Sequence, residues 1–387
     1  MLDVQVLTTR EELVSLRGDW AKLQQASHTN ELAQSPDWTL AWWDVFGPQG
    51  ASELCVCAIW EDERLIGLVP LRTRRHYYRQ TLPFRRIELL ASGEPEEDEI
   101  SSEYLGMLAV AGKERLVADE FVRQLSDGRF GDWDELVCTR LRTDSPSSTA
   151  LIRALRGHGT DVMMRSQGTC HFAKLPATWD EYLDGLPSRH RYMVRRSLRD
   201  LDAFSGGAYQ LHSVTTRAEL ERGFDILVAL HSERWAANSQ TGVFNSRRFT
   251  EFHRSAMDWL LDTGALRLYW LEAAGEPVAA VYNIVWNNKI YFYQSGRKMD
   301  VPKKLKPGIA LHALAIQHAI DEGLGEYDFL GGRAQYKAQL STHSRKLVEL
   351  RVVPRASVRE PVRQLTEAGI SAVQGLRNRI RRRRSDD

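Results

Sequence analysis

Leu13, Leu16, Trp20 and Leu23 recur at helical spacing and predict a helix over residues 9–26. Ser35-Pro36-Asp37 opens a second helix, with Ser35 as N-cap and Pro36 in its first turn, and this helix carries Trp38, Trp42 and Trp43. Two apolar stretches, 53–60 and 64–71, flank Glu61-Asp62-Glu63 and predict a hairpin. Strands near 86–90 and 104–110, a helix over 113–126, a strand over 133–140, a short helix over 151–157 and a strand over 161–174 complete the first half. The second half begins with helices over 179–186 and 188–203, followed by helices over 217–237 and 246–263. A hairpin over 266–273 and 277–286 turns near Gly275-Glu276. A strand over 289–295 leads through a loop to a helix that starts near Gly308 and ends at Glu322-Gly323. Short strands over 327–330 and 347–353 follow.

The two halves share this order. Asp127-Gly-Arg-Phe-Gly131-Asp-Trp-Asp134-Glu-Leu136 aligns with Asp321-Glu-Gly-Leu-Gly325-Glu-Tyr-Asp328-Phe-Leu330, each after a helix with a hairpin further upstream. The pattern predicts a duplication. The first copy has Glu114 where the second has Gly308, and a glutamate there would repel phosphate. The second half is therefore expected to hold the working site. The expected organisation is a degenerate first domain over 1–165, a second with the donor site over 166–355, and a basic amphipathic tail over 356–387.

Composition narrows the class. Of 387 residues, 43% are hydrophobic and 27% charged, as in a globular protein of about two domains. No apolar run spans a bilayer and the N-terminus lacks a secretory pattern, so a cytoplasmic location is expected. The net charge of +1 argues against nucleic-acid binding by charge alone. Cys55, Cys57, Cys138 and Cys170 form no zinc pattern and read as small buried residues, and no metal is expected.

Positive charge is concentrated locally. Lys304, Lys306, Gly308, Ile309 and Ala310 lie where a strand passes into a helix. Free N–H groups and the helix dipole favour an anion there, and Gly308 lets a phosphate approach the backbone. Arg189, Arg191, Arg195, Arg196 and Arg199 give the 188–203 helix a basic face, which is either solvated or a contact for a phosphate-bearing ligand, with Arg195 and Arg196 as candidates. Val358, Val362, Leu365, Ile370, Val373, Leu376 and Ile380 are spaced near a helical period and end in Arg381–Arg384. Such a tail can lie on an anionic membrane or dock on its own domain.

The motifs Ser35-Pro-Asp-Trp, Arg189-His-Arg-Tyr-Met-Val-Arg-Arg-Ser-Leu-Arg199, Tyr291-Phe-Tyr-Gln-Ser-Gly296, Lys306-Pro-Gly-Ile-Ala310 and Asp328-Phe-Leu-Gly-Gly332 with Tyr336-Lys337 appear in order. Over roughly 30–353 the chain resembles the tandem-GNAT acyltransferases of the FemAB/FemX-like group, closest to the cellulose-biosynthesis (CelD-like) acetyltransferases. The resemblance implies an α/β chain of two tandem GNAT folds with mixed sheets. It also implies transfer of an acetyl or other acyl group from acyl-CoA to an amine or hydroxyl of a polar, sugar-like acceptor in envelope or exopolysaccharide synthesis. Leu305 departs from the Arg or Gln that GNAT loops carry at this position, and Lys304 and Lys306 are the compensating charges. Aminoacyl transfer from a charged tRNA to a peptidoglycan precursor is the alternative under the same resemblance. A non-catalytic, membrane-associated scaffold is the third reading.

Thioester acyl transfer needs a base, an oxyanion partner and an acid for the leaving thiolate. Tyr291 and Tyr293 share one strand face, and Tyr293 is either that acid or a packing aromatic. Asp328 is a base, an acceptor-orienting group or a turn element. His231 or Glu233 is a further candidate base, and Trp235 shares the His231 face. Tyr336 and Lys337 follow Gly331-Gly332, where Lys337 is either solvated or set against phosphate or developing negative charge.

Overall fold

The computed structural model describes residues 2–47, 52–237 and 239–366. The first half contains β1 (Leu2–Leu7), α1 (Arg10–Ser15), α2 (Arg17–Gln25), α3 (Pro36–Phe46), β2 (Glu53–Leu54), β3 (Val56–Glu61), β4 (Arg64–Val69), β5 (Leu71–Tyr78), β6 (Leu82–Leu89), β7 (Leu108–Ala109), α4 (Glu114–Ser126), β8 (Glu135–Arg142) and α5 (Pro146–Gly157). The long strand β9 (Thr160–Lys174) leads to α6 (Trp179–Gly185), α7 (Ser188–Ser205), β10 (Gln210–Ser213), α8 (Arg217–Ala236) and α9 (Arg247–Asp262). Then come β11 (Leu266–Ala273), β12 (Glu276–Trp286), β13 (Lys289–Arg297), α10 (Pro307–Asp321), β14 (Glu326–Asp328), α11 (Gln335–Gln339) and β15 (His343–Pro354).

Several boundaries differ from the sequence expectation. The helix expected over 9–26 starts at the capping box of Thr9 and Glu12 and is interrupted at Leu16, which closes α1 and opens α2. Within the strand expected over 104–110, Leu108–Ala109 forms a short strand and Val110 adds a lone bridge to Ser27. A strand from Leu71 to Tyr78, not expected, forms a second hairpin with β6. Tyr336 and Lys337 sit on the short helix α11, not in a loop.

One sheet orders β1-β3-β4-β7; the other runs through both halves as β10-β11-β12-β13-β14-β9-β15-β8-β6-β5-β2. The larger sheet is nearly palindromic about β9 and β15. On one side β13 lies parallel to β14, and on the other β6 lies parallel to β8. A helix, α10 or α4, precedes β14 and β8 respectively. This order carries the duplication, and its register shifts the sequence alignment. Lys289 pairs with Glu326 as Arg86 pairs with Glu135. Glu135 is thus the counterpart of Glu326, and Asp134 is not the counterpart of Asp328. The connection 127–134 is longer than 322–325, and an ungapped alignment cannot absorb the difference.

The boundary expected at 165/166 falls inside β9, which pairs with β15 along its length. Two apolar cores lie on the sheets, and the four cysteines are free and buried. No helix among the described residues is long and apolar enough to cross a membrane.

Candidate active site

The β13–α10 connection forms one wall of a cavity of about 490 Å³, lined by Arg234, Ser295, Arg297, Lys303, Lys306, Gly308, Ile309, His312 and Tyr336 among others. Pro307 starts α10 and no side chain caps its N-terminus. Proline has no N–H to leave unpaired, so the Gly308 amide is the donor that this end offers. Ile309 makes a tight bond to the Lys306 carbonyl (3.0 Å). The loop is held from behind, because the Met299 N–H donates to the Glu233 carboxylate at 2.6 Å.

Close backbone packing places the other wall. A Cβ on Gly296 would come within 2.3 Å of the His231 backbone nitrogen, so β13 and α8 meet here only through glycine. That approach brings Arg234 of α8 to Ser295, with Nη1 to Oγ at 3.3 Å. Burial and the neighbouring Arg234 charge hold the Arg297 guanidinium below its ordinary pKa. Two guanidiniums in one cavity favour an anionic occupant.

The cavity extends in two directions. A groove of about 570 Å³ continues along α7, sharing Met193, Lys303 and Lys306 and adding Arg189, Arg196 and Lys304. On the opposite side, Arg234, Ser295, Ala334 and Tyr336 also line a cleft of about 860 Å³ between the two halves of the chain. The first half contributes Glu96, Glu99, Glu103 and Arg140 to that cleft, and the second half contributes Trp235, Tyr293, Gly331, Arg333 and Lys337.

Glu103 has the chemically most suggestive setting in the cleft. Its Oε1 accepts from Arg140 Nη1 (2.9 Å) and from the Gly331 N–H (3.2 Å). Its Oε2 is buried without a hydrogen-bond partner. Burial pushes its pKa up, against Arg140 and Lys337, which pull it down. Gly331 links two charges, since its N–H reaches Glu103 and its carbonyl accepts from Lys337. Lys337 Nζ also donates to the Phe329 carbonyl at 2.7 Å, so this lysine is fixed at the cleft wall, not solvated. Burial lowers its pKa, opposed by Glu103.

Not every expected site residue reaches these cavities. Lys306, Gly308 and Ile309 line the cavity at the start of α10, Lys304 and Arg196 line the groove, and Trp235, Tyr293, Tyr336 and Lys337 line the cleft. Ala310 is buried in the core, and Arg195 is exposed on α7 outside the groove lining. Tyr291 and Tyr293 do share a strand face. The Tyr291 hydroxyl, however, donates to the buried Glu31 carboxylate, and that of Tyr293 to the Ile100 carbonyl.

Asp328 lies outside all three linings and is fully buried. It accepts from the Tyr104 hydroxyl (2.7 Å), Arg345 (3.0 Å) and the Leu330 N–H (2.7 Å). Burial raises its pKa to about 6 against Arg345 and Tyr104. His231 is also fully buried; its Nε2 accepts from Trp235 Nε1 at 2.8 Å. Burial, with a contribution from Arg234, lowers its pKa to about 4. Leu305 packs into the core at the cavity edge, and Arg297 and Lys303 supply charge beside it. Among the described residues no group of His, Cys, Asp and Glu could hold a metal ion.

Comparison with known proteins bears on the fold. Residues 188–338, from the start of α7 into α11, match the model of an acetyltransferase (GNAT) domain. The crystal structure of FemX superposes with a TM-score of 0.61 at 11% identity, covering 94% of this chain and 99% of FemX. The L-PGS structure from Bacillus licheniformis superposes at 0.52 and 12% identity, covering 91% of this chain and 95% of that one. The C-terminal domain of a putative lysylphosphatidylglycerol synthetase from Agrobacterium fabrum gives 0.50 at 12% identity, with 92% and 96% covered. No curated protein sequence matches the chain. Residues 188–338 thus form a GNAT acetyltransferase domain within a FemX-like fold of mixed sheets, and the chain is an acyltransferase.

Proposed function

We propose that the chain transfers an acyl group from acyl-CoA, held in the basic cavity at the start of α10, to an amine of a polar acceptor in the cleft between the halves. The observation that carries this reading is the continuity of the two spaces past Arg234, Ser295 and Tyr336. The α10 N-terminus, Arg297 and Lys306 suit the pyrophosphate, and the α7 groove suits the remaining phosphate. The acyl thioester then lies at the junction.

In this reading the acceptor ammonium gives one proton to Glu103 Oε2, and the freed nitrogen lone pair attacks the thioester carbonyl carbon. Lys337 and Arg234 are the cations nearest the developing oxyanion. The C–S bond breaks as the intermediate collapses. The thiolate takes a proton from Tyr336, which recovers one from the product nitrogen. Tyr336 replaces Tyr293 as the acid because it borders both spaces, whereas the Tyr293 proton is committed to Ile100. A sugar-like acceptor and a place in envelope or exopolysaccharide synthesis follow from the CelD-like resemblance alone.

A second reading, aminoacyl transfer from charged tRNA, is favoured by the basic groove on α7 and by the likeness to a lysylphosphatidylglycerol synthetase fold.

The test of the proposed chemistry is Glu103→Gln. Transfer needs ionised Glu103, so kcat/KM should fall as pH drops through a pKa that burial raises from its ordinary value. Glu103→Gln should lower kcat by about 10²–10⁴, leave donor affinity unchanged and remove that acidic limb. Retained kcat with an unchanged pH profile would assign the base elsewhere.

A further inference from the structure

After β15 the chain forms a helix over residues 359–366 whose amphipathicity is inverted. Its inward side is charged. Glu360, 7% exposed, accepts from Arg351 (3.1 and 2.7 Å) and from Arg363 (2.9 and 2.6 Å), and Arg351 also reaches Glu135 at 2.6 Å. Arg359 adds a bond to the Pro83 carbonyl at 2.7 Å, which fixes the helix to the end of the β5–β6 hairpin. Its outward side is apolar: Val362 is 49% exposed and Leu365 74%, and Val358, just before the helix, is 81% exposed. A surface helix normally buries such a stripe and exposes its charges.

We infer that this face docks on an anionic lipid surface. Charge complementarity selects that occupant. Arg355 and Arg359 flank Val358 in the chain, paired with Asp161 and Asp134, and Arg79 is exposed on the hairpin turn. The sequence beyond residue 366, outside the described residues, adds Ile370, Val373, Leu376 and Ile380. It also adds Arg377, Arg379 and Arg381–Arg384 against only Glu367, Asp386 and Asp387. An anionic bilayer takes up the stripe and the cations together.

The test is co-sedimentation of the full chain with vesicles containing phosphatidylglycerol, against phosphatidylcholine alone. Binding should require the anionic lipid and weaken with salt. The double variant Val362→Ser, Leu365→Ser should partition at least about tenfold less with unchanged thermal unfolding. Should that variant melt early, changing Arg381–Arg384 to Gln decides the matter by the same loss. Equal binding to both vesicle types, undiminished binding of the variants, or a dimer that the double variant dissolves without any vesicle binding each overturns the inference.

Discussion

Glu103 and Asp328 separate chemistry from support at the scale of single residues. Both carboxylates are buried and raised in pKa. Asp328 spends both oxygens on Tyr104, Arg345 and Leu330, whereas Glu103 Oε2 has no hydrogen-bond partner. Asp328→Ala should therefore act on stability, costing about 1–3 kcal/mol by leaving the buried Tyr104 hydroxyl without its acceptor, while Arg345 keeps Glu326. Denaturant unfolding checks this; full stability with lost turnover would return Asp328 to the chemistry. Gly308 and Lys306 were legible in the sequence because a short motif carries its own geometry. Glu103 was not, because it meets Gly331 across 228 residues of chain. Its signal, a lone glutamate in an acidic loop, is indistinguishable from a solvated one. His231 looked available because helical spacing reports its neighbours on α8 but not the Phe244 ring that covers it, 4.9 Å away.

Among the elements, α10 and the loop before it line the cavity proposed for the donor. Glu233 on α8 was a candidate base, and the structure gives it a different task, holding the Met299 amide. Glu233→Ala should loosen the loop and weaken donor affinity about tenfold while changing kcat less. A kcat loss at unchanged KM would instead make Glu233 chemical. Long helices and hairpins were legible from periodicity. The five-residue α11 was not, since a single turn shows no period, yet it places Tyr336 and Lys337.

The whole molecule depends on contacts between its halves. Glu31 of the first half is buried and accepts from Lys289 (2.9 Å) and Tyr291 of the second, and from Arg142 (2.5 Å) of its own. The duplicated order was legible, but the merging of both halves into one sheet was not, because β9 pairs with β15 about as far along the chain as Thr160 to Pro354. A fragment starting at residue 166 loses the first six residues of β9, from Thr160 to Arg165, together with β8. Residues 166–366 alone should then show no cooperative thermal transition; a sharp melt would restore the second half as an independent domain.

The central claim is that an acyl-CoA donor occupies the cavity at the start of α10, and calorimetry with acetyl-CoA, longer acyl-CoAs and free CoA tests it most directly. A Cβ on Gly308 would meet only Arg297 Cδ at 3.7 Å, so substitution there is sterically tolerated. Binding should occur in the wild type, persist in Gly308→Ala and vanish in Gly308→Glu, where a carboxylate faces the phosphates. No binding of any CoA species by the wild type, with charged tRNA bound instead, would contradict the account.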